Sequence, residues 1–224
     1  MRYLTPLVAR TSSPLLRRTL RRAPRTFSAM IRVRNEEQFL EAAVRSIADS
    51  MDEIVIVDNL STDGTPDVIA RLRESLGTKV VPLRYPFEVA RYGEENRRLA
   101  STKDGLRSPH LLANYYEWCL AHCTRGFVVK WDGDMIATDA FPALIDGLRS
   151  AEIAVRYFHG ANLHASGTSL IAGLPYEDAE PRAFLRRFAR YDNGFDVWER
   201  FRSPTTTGRR SACVTKHPTW RTCT

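Results

Sequence analysis

Glu53-Ile54-Val55-Ile56-Val57 is a continuous β-branched run that ends in the polar stretch Asp58-Asn59-Leu60-Ser61-Thr62-Asp63-Gly64-Thr65-Pro66. Such a run without polar alternation belongs to a strand buried on both faces, as in a parallel sheet covered by helices. The loop after it holds a Gly turn, a Thr cap and Pro at a first helical position, so a helix is expected from residue 66 to about residue 76. This strand, turn and helix point to an α/β architecture before any other part of the chain is read.

The flanking segments repeat the pattern. Phe27 to Val33 reads as a first strand with an arginine, Arg32, inside it, and it runs into Arg34-Asn35-Glu36-Glu37. Phe39, Leu40, Ala43, Val44 and Ile47 recur at helical spacing, which predicts an amphipathic helix over 36–50. Asn35 is placed to cap that helix, and Glu36 and Glu37 in its first turn suit the helix dipole. Lys79 to Leu83 is a third short strand. Residues 84–107 hold many charges and little periodicity, so they read as a long surface loop with one helical turn; loops of this length inside a domain are often functional.

A helix is expected over 109–123 on Leu111, Leu112, Tyr115, Trp118, Cys119 and His122, then a strand over 127–131. Phe141, Leu144, Ile145 and Leu148 mark a helix over 139–149, and Glu152 to Phe158 a further strand. Residues 159–168 have turn composition, 169–171 read as a short strand, and 180–191 read as a basic helix with Phe184, Leu185 and Phe188 inward. The chain beyond Pro204 is rich in Thr, Arg and Pro without periodicity, and little order is expected there.

With 224 residues the chain suffices for one domain with a substantial core. The expected division is a basic leader over 1–26, a single domain over 27–200 and a basic tail over 201–224. Residues 1–26 hold seven arginines and no acid, and residues 200–224 hold six Lys or Arg and no acid. The formal charge of +7 less these thirteen leaves residues 27–199 at −6. The high pI is therefore a property of the ends and gives no argument for nucleic-acid binding. The leader has the composition of a mitochondrial transit peptide, and reads equally as a disordered basic segment. No apolar stretch of about 18 residues is present, so no transmembrane segment is expected. Cys119 and Cys123 share a helix face and, without Cys-x-x-Cys pairing, read as reduced thiols rather than zinc ligands.

Phe127-Val128-Val129-Lys130-Trp131 leads into Asp132-Gly133-Asp134. In an open α/β sheet, ligands bind at the carboxyl ends of the strands. Two carboxylates there repel each other unless a positive group lies between them, and a hard divalent cation with oxygen ligands is the simplest such group. A solvated turn after a strand is the plain alternative.

Three blocks together resemble the family 2 glycosyltransferases: Asn35-Glu36-Glu37 after the first strand, residues 54–65, and Asp132-Gly133-Asp134 preceded by a helix bearing Asn114. The resemblance covers roughly residues 28–160. It implies the fold class α/β, in the form of a GT-A, Rossmann-like, mostly parallel sheet flanked by helices. It implies transfer of a sugar, with inversion, from a nucleotide-sugar donor to a hydroxyl of a glycan, lipid or protein acceptor. By the same resemblance Asp58 and the backbone around Val33 to Asn35 line the nucleotide site. Asp132 faces the ribose or the metal, Asp134 binds the metal, and the cofactor is Mg²⁺ or Mn²⁺. The family's base comes from a later segment; Asp178, beside Glu177, is its counterpart here, with Glu180 and Asp192 as rivals. Asn59 stands where the family more often has a second Asp, which bears on nucleotide preference.

Other nucleotide-handling classes fit less well. No Gly-rich phosphate loop follows the first strand, and the Gly-x-Gly-x-x-Gly fingerprint of dinucleotide enzymes is absent. A non-catalytic nucleotide- or sugar-binding protein on a shortened GT-A fold is the remaining alternative. A cytoplasmic location is expected because nucleotide sugars are made there, with organellar targeting by the leader and peripheral membrane contact left open.

Overall fold

The computed structural model describes residues 18–19, 21–150, 155–166, 169–193 and 200–202, with backbone alone between 159 and 180. In chain order the elements are β1 (Phe27–Val33), α1 (Leu40–Ile47), β2 (Glu53–Asp58), α2 (Thr65–Leu76) and β3 (Val80–Arg84). They continue with α3 (Glu94–Ala100), α4 (Leu112–His122), β4 (Phe127–Asp132), α5 (Phe141–Ser150), β5 (Val155–Ser166) and β6 (Ser169–Leu185). The short pair β7 (Arg190–Asp192) and β8 (Arg200–Arg202) forms a separate two-stranded sheet.

The main sheet has six strands in the order β3-β2-β1-β4-β6-β5. The first four are mutually parallel, and β6 runs antiparallel to both β4 and β5. All six residues of β2 are buried, as its unbroken β-branched run requires. Arg32 pairs in register with Asp132, so Trp131, one residue earlier, points to the other face. Tyr116 of α4 stacks on Arg32, and Phe141 of α5 packs on Trp131 with ring centroids 5.2 Å apart. The two helices therefore cover opposite faces of the sheet.

A buried carboxylate ties the amino ends of the central strands together. Glu53, 5% exposed, accepts hydrogen bonds from Ser28 Oγ at 2.5 Å, Thr124 N at 2.8 Å and Thr124 Oγ1 at 2.5 Å. These link β1, β2 and the entry to β4 at the end of the sheet opposite the acidic pair.

Five expectations are corrected. The helix expected over 36–50 is α-helical only from Leu40, with a turn at 37–39 before it. Phe39 stands at its cap without a side-chain hydrogen bond, and Asn35 is engaged elsewhere. Residues 84–107 are not a bare loop: they hold α3 and a 3₁₀ turn over Gly105–Arg107, with Tyr85, Val89, Ala90, Asn96 and Gly105 buried. Strand β5 runs on through 159–166, where a turn was expected.

The basic helix expected over 180–191 is instead the end of β6, a 3₁₀ turn over Arg186–Phe188, and β7. The reason is packing. Ala183, Phe184 and Leu185 are consecutive and each at most 3% exposed. A surface helix would bury only one of its sides, whereas a strand between β4 and β5 buries both faces. Most of the expected leader and tail lies outside the described residues; Arg200–Arg202 extends the ordered part slightly past the expected boundary.

Candidate active site

The carboxyl ends of β1, β2 and β4 lie side by side, as the register Val33↔Asp58 and Arg32↔Asp132 requires. The loop after β2 is stitched to the segment after β1. Asn35, at φ 60°, accepts from Thr62 N at 2.8 Å through Oδ1 and donates its own N–H to Ser61 Oγ at 2.9 Å. Glu36 N donates to Thr65 Oγ1 at 2.8 Å, and Gly64 N donates to Glu37 Oε2 at 2.9 Å. A Cβ on Gly64 would collide with the Glu37 carboxylate. Asn35 thus uses its side-chain oxygen to fix the β2–α2 loop.

Asp58 is 6% exposed, and its Oδ1 accepts from Ser61 N at 3.1 Å. It borders an open pocket of about 360 Å³ shared with Ser61, Pro66, Ile69, Leu83 and Arg84. Asn59 faces the segment after β3: its Nδ2 donates to Phe87 O at 2.7 Å. Arg34 pairs with Glu88 at 2.8 Å, so residues 85–90 are drawn across the carboxyl ends of β1 and β2.

The acidic pair divides into two different environments. Asp132 receives Arg182 Nη1 on Oδ2 at 2.6 Å and Arg32 Nη2 on Oδ1 at 3.3 Å. Burial pushes its carboxyl up, but the charges of Lys130, Arg182 and Arg32 outweigh that and hold it at about 2. Asp134 is exposed one residue past Gly133, and its carboxyl is raised, by burial and then by the charge of Asp132. Glu36, beside Gly133, is raised to about 7 by burial and then by Asp134, Asp132 and Asp63. Gly133 permits this crowding, because a Cβ there would meet Val33 Cγ1 at 2.9 Å and Glu36 Cγ at 3.1 Å.

Among the described residues no group of three or more His, Cys, Asp or Glu side chains gathers as a ready-made metal cage. A magnesium-type ion does not need one, since it binds through one or two carboxylates plus substrate phosphates. Asp134 and Glu36 fit that requirement: both are hard oxygen donors whose mutual repulsion a cation relieves.

Asp178 lies on β6. That strand runs from Leu185 opposite Phe127 back through Ala183 opposite Val129, so its earlier residues continue past the carboxyl end of β4. The backbone of Glu177 and Asp178 therefore lies on the acidic-pair side of the sheet, in a strand. Their side chains, and that of Glu180, are outside the described residues. Asp192 sits on β7. Asn114 is structural, its Nδ2 donating to Leu106 O and Ser108 O.

Sequence reading missed Arg32, Lys130, Arg182 and Tyr116 as a group. A signal for two of them was present: Arg32 and Lys130 are cations inside apolar strand runs, and a charge there needs a partner. Lys130 is 4% exposed, with Nζ 5.4 Å from the Tyr116 ring centroid; Arg32 lies 3.6 Å from the same centroid.

Residues 28–93 match the family model described as Glycosyl transferase family 2. That segment runs from β1 to the residues before α3 and includes the first two of the three blocks that carry the resemblance. No curated protein matches the chain. Among solved structures it is similar to S. aureus TarS in complex with UDP, at 20% identity over 55% of this chain and 30% of that one, with a TM-score of 0.38. It is also similar to glucosyl-3-phosphoglycerate synthase from Mycobacterium tuberculosis in complex with Mn²⁺, uridine diphosphate and phosphoglyceric acid. There the identity is 23% over 61% of this chain and 43% of that one, with a TM-score of 0.38. The chain spans less than half the length of these solved chains. The mostly parallel six-stranded sheet flanked by helices bears out the expected α/β class.

Proposed function

We propose that this chain transfers a sugar from a nucleotide-sugar donor to an acceptor hydroxyl, with inversion and with a divalent cation at the acidic pair. The observation that carries the reading is the convergence of Asp58, Asp132 and Asp134 at adjacent strand ends, within and beside the segment that matches the family. The pocket at Asp58 receives the nucleoside, and the backbone from Val33 to Asn35 runs beside it at the end of β1. Asp132 accepts from donor hydroxyls, since each carboxylate oxygen keeps a lone pair beyond its guanidinium contact. Asp134, with Glu36 behind it, holds the cation.

When bound, Mg²⁺ or Mn²⁺ supplies charge stabilisation for the departing nucleoside diphosphate. The chain's own part is placement: Gly133 and the loop staple at Asn35 hold the two carboxylates at fixed strand ends. Asp178, carried beyond the carboxyl end of β4, is our choice of general base for the acceptor hydroxyl. The acceptor is a glycan, lipid or protein hydroxyl. No helix among the described residues is long and apolar enough to cross a membrane.

Calorimetric titration with uridine, guanosine, adenosine and cytidine diphosphates, with and without Mn²⁺ and repeated on Asp134→Ala, tests this. Metal-dependent binding of one nucleotide, lost in the variant, is the expected result. Binding by none of them refutes the reading. Binding without turnover of the corresponding nucleotide sugar, over a panel of acceptors, refutes the enzyme and leaves a binding protein.

A further inference from the structure

Arg32 on β1 and Arg182 on β6 converge on the carboxylate of Asp132 on the strand between them, with Lys130 of that strand on the same face. β1 pairs with β4 through Arg32↔Asp132, and β4 pairs with β6 through Val128↔Phe184 and Val129↔Ala183. Two residues further along that antiparallel register, Lys130 and Arg182 share the sheet face that α4 covers. The side chains of Arg32 and Arg182 are 10% and 8% exposed, and that of Asp132 is 35% exposed. The Arg32 guanidinium carbon sits over the Tyr116 ring, 3.6 Å from its centroid. The carboxylate is therefore approached from the protein side by two buried, oriented cations, while its other side faces solvent at the strand ends.

The geometry points to Arg182 as a positioning residue: with Arg32 it fixes the Asp132 carboxylate by both oxygens, reserving it for the hydroxyls of the nucleotide-sugar donor and leaving the cation to Asp134. This rests on the proposed glycosyltransferase reading. Buried guanidinium–carboxylate contacts are short and directional, so they set orientation as well as charge. A carboxylate with a guanidinium on each oxygen is a poor ligand for a divalent ion, because the ion would have to enter the field of two cations. It remains a good acceptor for neutral hydroxyl donors. Arg182 also links the acidic pair to β6, the strand that carries Glu177 and Asp178, so one ion pair aligns both sides of the site.

The test uses the full chain and two separate probes: Mn²⁺ alone, followed by electron paramagnetic resonance of the free ion, and the nucleoside diphosphate that the wild type binds, followed by calorimetry with Mn²⁺ present. Arg182→Met and Asp132→Asn are each expected to weaken the nucleotide by about tenfold or more and to leave Mn²⁺ binding within about twofold. Asp134→Asn is expected to remove Mn²⁺ binding. Arg182→Lys, which can still donate one charged hydrogen bond to Oδ2, is expected to recover part of the nucleotide affinity. If Arg182→Met does not fold, Asp132→Asn, which keeps the shape of the side chain, carries the test alone. Loss of Mn²⁺ binding in Asp132→Asn as complete as in Asp134→Asn overturns the inference. So does unchanged nucleotide affinity in a folded Arg182→Met. A wild type that binds no nucleoside diphosphate overturns the glycosyltransferase reading, and this inference with it.

Discussion

Replacing Glu53 by alanine removes the acceptor that holds the amino ends of β1, β2 and β4 together. Its partners do not all lose equally. Thr124 is exposed, so its N–H and hydroxyl can turn to water. Ser28 is 0% exposed, and its hydroxyl is left without its acceptor. A buried donor stranded in this way costs about 1–3 kcal/mol, and loss of the charged acceptor for Thr124 adds about 1 kcal/mol. The expected destabilisation of Glu53→Ala is about 3 kcal/mol at pH 7, read from urea unfolding followed by circular dichroism. Adding Ser28→Ala removes the stranded hydroxyl and should recover about 1 kcal/mol or more. The pH dependence has a definite sign. Burial pushes the Glu53 carboxyl up, but hydrogen bonds from Ser28 and Thr124 and the charge of Arg125 outweigh it, so it lies below its ordinary value. An acid lowered in the folded state stabilises above its unfolded pKa, near 4.3, and that contribution fades as pH falls through the folded pKa. Wild type should thus lose more stability than Glu53→Ala between pH 6 and pH 3. A cost below about 1 kcal/mol at pH 7, or a double variant no more stable than Glu53→Ala, would refute this account of the latch.

Three further outcomes are expected. Gly133→Ala, whose Cβ would press on Val33 and Glu36, should displace Asp134 and cost about 1–3 kcal/mol, with weaker Mn²⁺ binding measured by electron paramagnetic resonance. Asn35→Ala should cost about 1–2 kcal/mol in thermal or urea unfolding, because it leaves a residue at φ 60° and removes the acceptor of Thr62 N; Asn35→Gly, which tolerates that φ, should cost less. With a chelator present, Glu36→Gln should raise the melting temperature at pH 8.5 and leave it nearly unchanged at pH 3. The Glu36 carboxyl is raised to about 7, so its charge opposes folding progressively as pH rises from the unfolded value near 4.3 to the folded one, fully at pH 8.5, whereas at pH 3 both states are protonated.

Much of the half of the chain before β4 was legible because its signals are local. The run 53–57 could only be a doubly buried strand, and Thr65-Pro66 could only open a helix; β2 and α2 sit within one residue of those expectations. The acidic pair was found because a strand followed by Asp-Gly-Asp is a contiguous pattern. Segments whose identity depends on distant partners misled. Phe184, Leu185 and Phe188 have helical spacing, and only pairing with β4 makes 183–185 a strand. Residues 84–107 lack periodicity because they are ordered by contacts with other loops, such as Arg34 with Glu88 and Leu112 N with Asn96.

The sequence by itself determined that this chain builds a parallel α/β sheet with acids at its strand ends, because strand runs, turn residues and helix starts are written in neighbouring positions. Only the tertiary structure decided how the two acids of the pair differ. Asp132 and Asp134 are two residues apart and chemically identical. Arg182, fifty residues later, and Arg32, a hundred residues earlier, both donate to Asp132. Charge acts through space, so the two carboxylates became different groups when β1, β4 and β6 came together.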